Sequence, residues 1–218
     1  MPGRVHFGEA MEALRVDVDA LGEMAEQAVV GAVAALVGDP SRAGVVIAGD
    51  DRLDALFVAL EERAYSLVAQ QAPVAGDLRF LMASLRVMAD FEKMGDRAVA
   101  VAKTSRQPWE RESQTLLLLA RMGELALDLV RDARRTWVDQ DLGLASGLSA
   151  RDATLDECYR HLIAHLVGQA GPYASLLVLH ASAAGRNLER IADHAVMIGE
   201  RVAYLLTGDP SALEAEIR

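Results

Sequence analysis

The most constraining feature of this sequence is a pair of carboxylates that recurs in the same surroundings in each half of the chain. Glu92 and Asp96 lie four residues apart in ADFEKMGDRAV, and Glu189 and Asp193 repeat the spacing in RNLERIADHAV, with the same offset of 97 residues from position 92 to 189 and from 96 to 193. Residues four apart share one face of a helix, where two like charges repel each other unless a positive charge lies between them. The repeated pair therefore predicts a helix in each half and raises the question of what neutralises it.

Two further segments match between the halves in the same order. LGEMAEQAV at residues 21–29 resembles MGELALDLV at residues 122–130, and DDRLDALF at residues 50–57 resembles DATLDECY at residues 152–159. Three matched segments in one order indicate a duplicated unit, because each unit's remaining apolar face can pack on the other. We therefore expect a pseudo-twofold arrangement of two units.

Helical periodicity dominates the chain, and no alternating run of β-branched residues predicts a strand. Glycine, proline and aspartate end or cap helices. Such breaks occur at residues 38–41, 71–77, 105–110, 138–143, 169–173 and 207–211. They define six helices, and connections this short make neighbouring helices antiparallel. The predicted fold class is all-α, with two repeated three-helix bundles at residues 1–107 and 108–218.

The composition limits the chemistry available to the chain. Its 218 residues are 52% hydrophobic and 25% charged, which suits a packed core, and neither a membrane span nor a secretory signal is visible, so we expect a cytoplasmic protein. A net charge of −10 argues against binding to nucleic acids. Cys158 is the only cysteine, which excludes an intrachain disulfide and a thiolate zinc cage, and we expect it in the core. Any metal site must therefore use carboxylates and histidines.

The charged residues of the last predicted helix are sorted onto two edges of its apolar seam. At about 100° per residue, Glu189, Asp193 and Glu200 fall on one edge. The opposite edge, where we expect mainly solvated side chains, carries Arg190, His194 and Arg201. The third helix repeats the acidic edge at Glu92 and Asp96.

The second helix of each unit adds a matching pair of carboxylates. Asp50 and Asp54 belong to the first unit, and Asp152 and Asp156 belong to the second. If the second and third helices are antiparallel, each pair meets the acidic pair of the third helix across one groove. Oxygen donors in this arrangement suit magnesium, calcium, manganese or ferric iron better than copper. The alternative is that the carboxylates form solvated helix faces balanced by neighbouring basic residues.

Other candidate sites in the sequence are weaker. Glu157, His161 and His165 have the turn spacing of an adventitious zinc site, but most such sets are only surface. The chain has no Walker loop, dinucleotide fingerprint, nucleophile elbow or zincin pair, so we do not expect an enzyme. The Glu-x-x-His signature of redox di-iron bundles is missing, because Gly95 and Ala192 occupy the histidine positions. Two alternatives stay open: a carboxylate-bridged metal-storing or redox bundle, and a metal-free scaffold that docks a basic partner helix.

Three segments resemble the PhoU family of phosphate-transport accessory regulators. NLERIADHAVMIGERVAYLLTG at residues 187–208 is similar to the family's second Glu-x-x-x-Asp motif. FEKMGDRA at residues 91–98 is similar to its first motif, and APVAGDLRFL at residues 72–81 is similar to the loop before its third helix. The resemblance covers nearly the whole chain.

The resemblance implies two symmetric three-helix bundles with multinuclear metal sites, in which the metal is iron, zinc, manganese, magnesium or calcium. The family's motifs correspond to Glu92 with Asp96 and to Glu189 with Asp193. Extension to the second helices depends on the helical geometry and adds Asp50, Asp54, Asp152 and Asp156. The implied role is that of a regulator that restrains phosphate uptake and the phosphate-starvation response. The implied partners are the ATPase subunit of the phosphate transporter and a sensor histidine kinase. A homodimer is compatible with this role. A bound cation would also relieve the repulsion between the paired carboxylates.

Overall fold

The computed structural model describes residues 2–213, and the side chains from His6 onwards except that of Gln71. All regular secondary structure in this range is helical. The six α-helices are α1 (Pro2–Val37), α2 (Ala43–Gln71), α3 (Ala75–Ser105), α4 (Ser113–Asp139), α5 (Leu142–Val167) and α6 (Ala174–Thr207). Short 3-10 turns at Pro40–Arg42 and Pro210–Ala212 precede α2 and follow α6. The predicted all-α fold with six helices is confirmed, and the helices end at the predicted breaks.

At these breaks, polar side chains cap the starts of helices and left-handed residues end them. The Asp141 side chain starts α5 by accepting a hydrogen bond from the backbone N–H of Leu144, at 3.0 Å. Glu112 starts α4 in the same way, accepting from the backbone N–H of Thr115 at 2.7 Å. Gly208 ends α6 with a φ of 71°, a left-handed conformation that glycine adopts without steric cost. Each side-chain cap satisfies a backbone group that a helix terminus would otherwise leave without a partner.

Four of the helices form a central bundle, and the other two pack on its outside. α1 and α6 each contact both α3 and α4, so these four helices form a closed ring. α2 packs on α1 and α3, and α5 packs on α4 and α6. Equivalent helices of the two units, α1 with α4 and α3 with α6, therefore meet each other, as a pseudo-twofold arrangement requires. α3 and α6 are antiparallel, because Arg79 near the start of α3 lies beside Gly208 at the end of α6.

The apolar seam predicted for α6, which runs from Leu188 to Leu205, is buried except at Leu205, which is partly buried. The seam residues with no exposed surface are Leu188, Ile191, Ala195, Ile198 and Val202. They belong to one hydrophobic core that takes residues from all six helices. Cys158, which was predicted in the core, is partly buried and packs against it. Burying one large apolar side chain stabilises the fold by about 1.5–3 kcal/mol, so the core is the main source of stability.

Helix α1 combines high hydropathy with core packing. Over His6–Val37 it is long and apolar enough to cross a membrane by length and composition alone. The core helix of a soluble protein passes the same test, and Leu14, Val18 and Leu21 have no exposed surface within the bundle. Packing against α2, α3 and α4 therefore accounts for the hydropathy of α1. The cytoplasmic location remains a prediction.

The connector between α3 and α4 is tied to the first unit. Trp109 donates from Nε1 to the backbone carbonyl of Thr104 near the end of α3, at 3.1 Å. Arg111 lies over the Trp109 ring, 5.8 Å from its centroid, and donates to the carbonyl of Leu36 near the end of α1. A guanidinium group at this position also interacts favourably with the negative end of the helix dipole. The connector therefore anchors the start of α4 on the first unit.

Candidate metal centres

Eight acidic side chains form two groups, one in each unit. The first cluster lies between α2 and α3 and consists of Asp50, Asp54, Glu92 and Asp96. The second cluster lies between α5 and α6 and consists of Asp152, Asp156, Glu189 and Asp193. α5 and α6 are antiparallel, because Gly185 contacts Leu162 whereas Gly199 contacts Leu148. The structure thus brings together the eight residues named from the sequence, and their role as metal ligands remains a prediction.

In the first cluster, burial and mutual repulsion both act against ionisation. The pKa of Glu92 is raised, first by burial and then by the charges of Asp96 and Asp54, while Lys93 acts in the opposite direction. The pKa of Asp50 is also raised, first by burial and then by Asp54 and Asp96. Carboxylates on the two helices therefore act on each other across the groove.

Gly95 lets α2 and α3 approach each other beside the first cluster. A Cβ atom at this position would come within 2.8 Å of Cδ1 of Leu53 on α2, closer than two nonbonded carbon atoms tolerate. Leu53 precedes Asp54, and Gly95 precedes Asp96. The glycine therefore leaves room for Leu53 where the two helices that carry the acidic pairs meet. Ala192 takes the equivalent position in the second unit.

The second cluster is the more shielded of the two. All four of its side chains are partly buried, whereas two of the four in the first cluster are exposed. The pKa of Asp152 is raised to about 7, first by burial and then by the charges of Asp156, Asp193 and Glu189. Oδ1 of Asp152 is shielded from solvent and has no hydrogen-bond partner among the residues that the structure describes. An acceptor in this situation costs free energy unless a proton or a cation satisfies it.

Two arginines of α6 pair with carboxylates of the second cluster. Arg186 donates from Nη1 to both carboxylate oxygens of Glu189, and Arg190 donates to Oδ2 of Asp193 at 3.0 Å. The pKa of Glu189 is raised, first by burial and then by Asp193, and both arginines act against this rise. Sequence reasoning did not consider Arg186, although its spacing of three residues from Glu189 on one helix was a signal that could have found the pair.

The donor set of each cluster fits a hard cation. Carboxylate oxygens are the ligands that such ions prefer, and Oδ1 of Asp152 is an acceptor without a protein partner. Among the side chains that the structure describes, no three Asp, Glu, His or Cys groups converge closely enough to hold an ion as they stand. Two of the carboxylates of the second cluster are paired with arginines. For all four carboxylates of the second cluster to bind one ion, Glu189 and Asp193 would have to give up their pairing with these arginines.

Two residues of the predicted basic edge of α6 are not solvated. His194 is buried, and its Nδ1 lies 3.1 Å from Oδ1 of Asp90 on α3. Nε of Arg201 lies 3.0 Å from Oδ2 of the same carboxylate, which is 1% exposed. The prediction of solvated side chains is wrong here because this edge faces α3 of the other unit. Sequence reasoning missed Asp90. The available signal was that this carboxylate lies within an apolar stretch of α3, at the position equivalent to Asn187 in α6.

The histidines with zinc-like spacing do not converge with their acidic neighbour. Nε2 of His161 lies 4.0 Å from Glu157 in an exposed pair. His165 instead turns to Glu112, with 3.1 Å between its Nε2 and Oε2 of the carboxylate. Hydrogen bonds, first from the backbone N–H of Gln114, lower the pKa of Glu112 to about 2. Glu112 is therefore an ionised helix cap that also contacts the end of α5.

Relatives of this chain are proteins of phosphate transport systems. The family model described as PhoU domain matches residues 18–105 and 119–202. The phosphate-specific transport system accessory protein PhoU homolog of Caulobacter vibrioides (strain NA1000 / CB15N) is 33% identical over 210 residues, which cover 93% of this chain and 90% of the relative. PhoU homolog 1 of Mycobacterium tuberculosis (strain ATCC 25618 / H37Rv) is 34% identical over 178 residues, which cover 80% of each protein.

Solved structures share the fold. The crystal structure of PhoU from Pseudomonas aeruginosa has a TM-score of 0.88 at 30% identity, over 93% of this chain and 100% of that chain. The crystal structure of the phosphate transport system regulatory protein PhoU from Streptococcus pneumoniae has a TM-score of 0.85 at 25% identity, over 93% of this chain and 98% of that chain. The arrangement of six helices is therefore shared with experimentally determined structures.

The two units and the absence of catalytic motifs agree with these relatives. The predicted units at residues 1–107 and 108–218 contain one family match each, while their bounds remain a prediction and Met1 and residues 214–218 lie outside the described range. The relatives are named as accessory and regulatory proteins, in agreement with the prediction that the chain is not an enzyme. Because the family model matches both halves and relatives align with most of the chain, the chain belongs to the PhoU family.

Proposed function

We propose that this protein is an accessory regulator of phosphate transport whose two carboxylate clusters bind metal ions. Relatives that align with most of the chain are named for a phosphate-specific transport system, which supports the regulatory part. Burial and repulsion raise the pKa of carboxylates in both clusters, which supports the metal part. The observation that carries the proposal is that such a cluster occurs in each of the two PhoU domains.

The carboxylates of each cluster can act as ligands from two helices at once. In the second cluster, Asp152 and Asp156 approach from α5, and Glu189 and Asp193 approach from α6. A bound cation supplies the positive charge that a proton supplies in its absence. Oxygens from both helices would then hold α5 against α6, so ion occupancy would set how firmly the outer helix is fixed to the bundle. Iron, zinc, manganese, magnesium and calcium all remain candidates for the ion.

The partners that we propose are the ATPase subunit of the phosphate transporter and a sensor histidine kinase. The names of the relatives tie those proteins to a transport system, which supports the first partner. The second partner rests on the family resemblance alone. Through these contacts the protein would act as a negative regulator of phosphate uptake and of the phosphate-starvation response. We expect the protein in the cytoplasm, where it reaches the membrane only through its partners. We also propose that it forms a homodimer, which analytical ultracentrifugation tests.

Gene deletion and complementation test the proposal. We expect the deletion to leave phosphate-responsive genes switched on in phosphate-rich medium and the wild-type gene to repress them again. A variant with Glu92→Gln, Asp96→Asn, Glu189→Gln and Asp193→Asn should not restore repression, although circular dichroism should show it as helical as the wild type. Metal analysis of proteins purified without chelator should find bound ions in the wild type and not in the variant.

An acidic pair on α4, outside both clusters, provides the matched control. Glu124 and Asp128 are exposed, have the same spacing of four residues and belong to neither cluster. Glu124→Gln with Asp128→Asn should therefore restore repression and retain the metal. Normal expression in the deletion strain, with no second copy of the gene present, would contradict the regulatory part of the proposal. Unchanged metal content in the cluster variant would contradict the metal part.

A further inference from the structure

The two clusters occupy equivalent positions but differ in the positive charges that touch them. Arg186 and Arg190 form ion pairs with carboxylates of the second cluster. The equivalent positions of α3 hold Ala89 and Lys93. Lys93 acts on the pKa of Glu92, but within the described part of the chain it forms no ion pair like those of α6. The second cluster therefore has guanidinium groups already bound to its oxygens.

We propose that Arg186 and Arg190 compete with the cation for the second cluster and thereby raise the cation concentration at which that cluster fills. This inference rests on the proposed function, because it assumes that cations bind to the carboxylates. Its consequence is that one chain carries two sites that respond at different cation concentrations.

The contacts make this competition direct. Both oxygens of Glu189 accept hydrogen bonds from Arg186, and Oδ2 of Asp193 accepts one from Arg190 at 3.0 Å. A cation can use these lone pairs only after the guanidinium groups have left. The Glu189 and Asp193 side chains are 13% and 27% exposed, which leaves little room for an ion and a guanidinium group side by side.

The arginines can leave without disturbing the core. Both side chains are nearly half exposed, and neither belongs to the buried residues of the core. Arg151, next to the cluster on α5, pairs with Asp132 on α4 and is therefore held away from the competition. Asp152 offers an oxygen that has no hydrogen-bond partner within residues 2–213. An ion can therefore bind on the α5 side and then replace the arginines on the α6 side.

Isothermal titration calorimetry with manganese(II) chloride, on the full chain freed of metal and of chelator, tests this competition. Glu92→Gln with Asp96→Asn disables the first cluster, so that the second is observed alone. In that background, Arg186→Gln with Arg190→Gln should lower the Kd about tenfold, because each change removes a competing ion pair and a charge that repels the ion. This factor corresponds to about 1.4 kcal/mol.

The converse change in the first cluster is an independent test. Ala89→Arg with Lys93→Arg places two arginines at the positions that they occupy on α6. In a chain whose second cluster is disabled by Glu189→Gln with Asp193→Asn, this change should raise the Kd of the first cluster about tenfold. Circular dichroism should show that every chain in the comparison keeps its helical content.

An arginine on α4 provides the control for the loss of one surface ion pair. Arg121 pairs with Glu124 at the same spacing of three residues, far along the chain from both clusters. Arg121→Gln should therefore leave the Kd of each cluster unchanged. A Kd that changes less than about twofold in either arginine experiment would overturn the inference and leave the proposed function intact. If no chain, wild type included, binds manganese or any of the other four candidate ions in the same titration, the metal part of the proposed function fails and the inference fails with it.

Discussion

Replacement of Asp152 by asparagine should stabilise the metal-free protein at neutral and alkaline pH. Its pKa is raised from 3.8 to about 7, first by burial and then by the other carboxylates of the second cluster. A raised pKa means that the ionised carboxyl group is less favourable in the folded chain than in the unfolded chain. Asparagine has nearly the same shape and carries no charge. The substitution therefore removes the electrostatic penalty without opening a cavity.

The size of this effect follows from the linkage between protonation and folding. A pKa of about 7 in the folded chain against 3.8 in the unfolded chain would cost ~4 kcal/mol for a fully shielded carboxylate. Asp152 is only partly buried, so solvent screening reduces the cost to about 1–2 kcal/mol. Below about pH 4 the group is protonated in both states, and the cost is absent. It grows as the pH rises from about 4 to about 7 and is complete above that range.

Thermal unfolding in the presence of EDTA, followed by circular dichroism, measures this pH dependence. The Asp152→Asn protein should melt about 2–8 °C above the wild type at about pH 8 and close to it at about pH 4. Asp128→Asn, an exposed substitution on α4, is the control and should show no such gain. A variant that melts below the wild type at about pH 8, or gains equally at both pH values, would refute the reasoning.

Three further predictions concern other parts of the structure. Added cation at a hundredfold excess over Kd should stabilise the fold by about 2.7 kcal/mol, and Glu189→Gln with Asp193→Asn should remove the second cluster's share of the rise in Tm measured by scanning fluorimetry. An unchanged rise would mean that these residues form a solvated face. Asp90→Asn should lower the free energy of unfolding in urea by about 3 kcal/mol, because it removes the negative charge of a buried ion pair with Arg201, and a loss under about 1 kcal/mol would contradict this. Gly95→Ala should cost about 1–2 kcal/mol and weaken cation binding at the first cluster only, because its Cβ would press on α2, whereas equal losses at both clusters would exclude a local effect.

The helical period was sufficient to predict which side chains share a groove. Glu92 and Asp96 lie on one face because four residues make about one helical turn. The short connection between α2 and α3 makes these helices antiparallel, which brings Asp50 and Asp54 to the same groove. The buried seam of α6 follows from the same period. All of these features depend on neighbours along one helix or on one short connection, so a sequence pattern contains the information they need.

Contacts between distant helices were not predictable in this way. Asp90 and His194 are 104 residues apart, and the period of α6 places His194 on a polar edge without indicating that α3 covers that edge. His165 contacts Glu112, 53 residues away, for which the spacing within α5 gives no signal. The spacing of three residues permits Arg186 to pair with Glu189, but it does not determine that the pair forms. The conformation of the arginine side chain also depends on the local burial. Periodicity therefore predicts faces, and the packing of the helices decides what each face meets.

The carboxylate clusters lie outside the hydrophobic core. Variants of the clusters and variants of the core therefore test different properties. The charged or titratable residues that are buried in the described part of the chain are Asp90, Asp132 and His194, which belong to neither cluster. Neutral substitutions in the clusters relieve repulsion and leave the hydrophobic core complete, so they should not lower stability in the absence of metal. Substitution of Asp90 instead weakens the contact between α3 and α6. A cluster variant that loses regulation while it keeps or gains stability therefore reports on ion binding, whereas the same loss in an Asp90 variant reports on the packing of the two units.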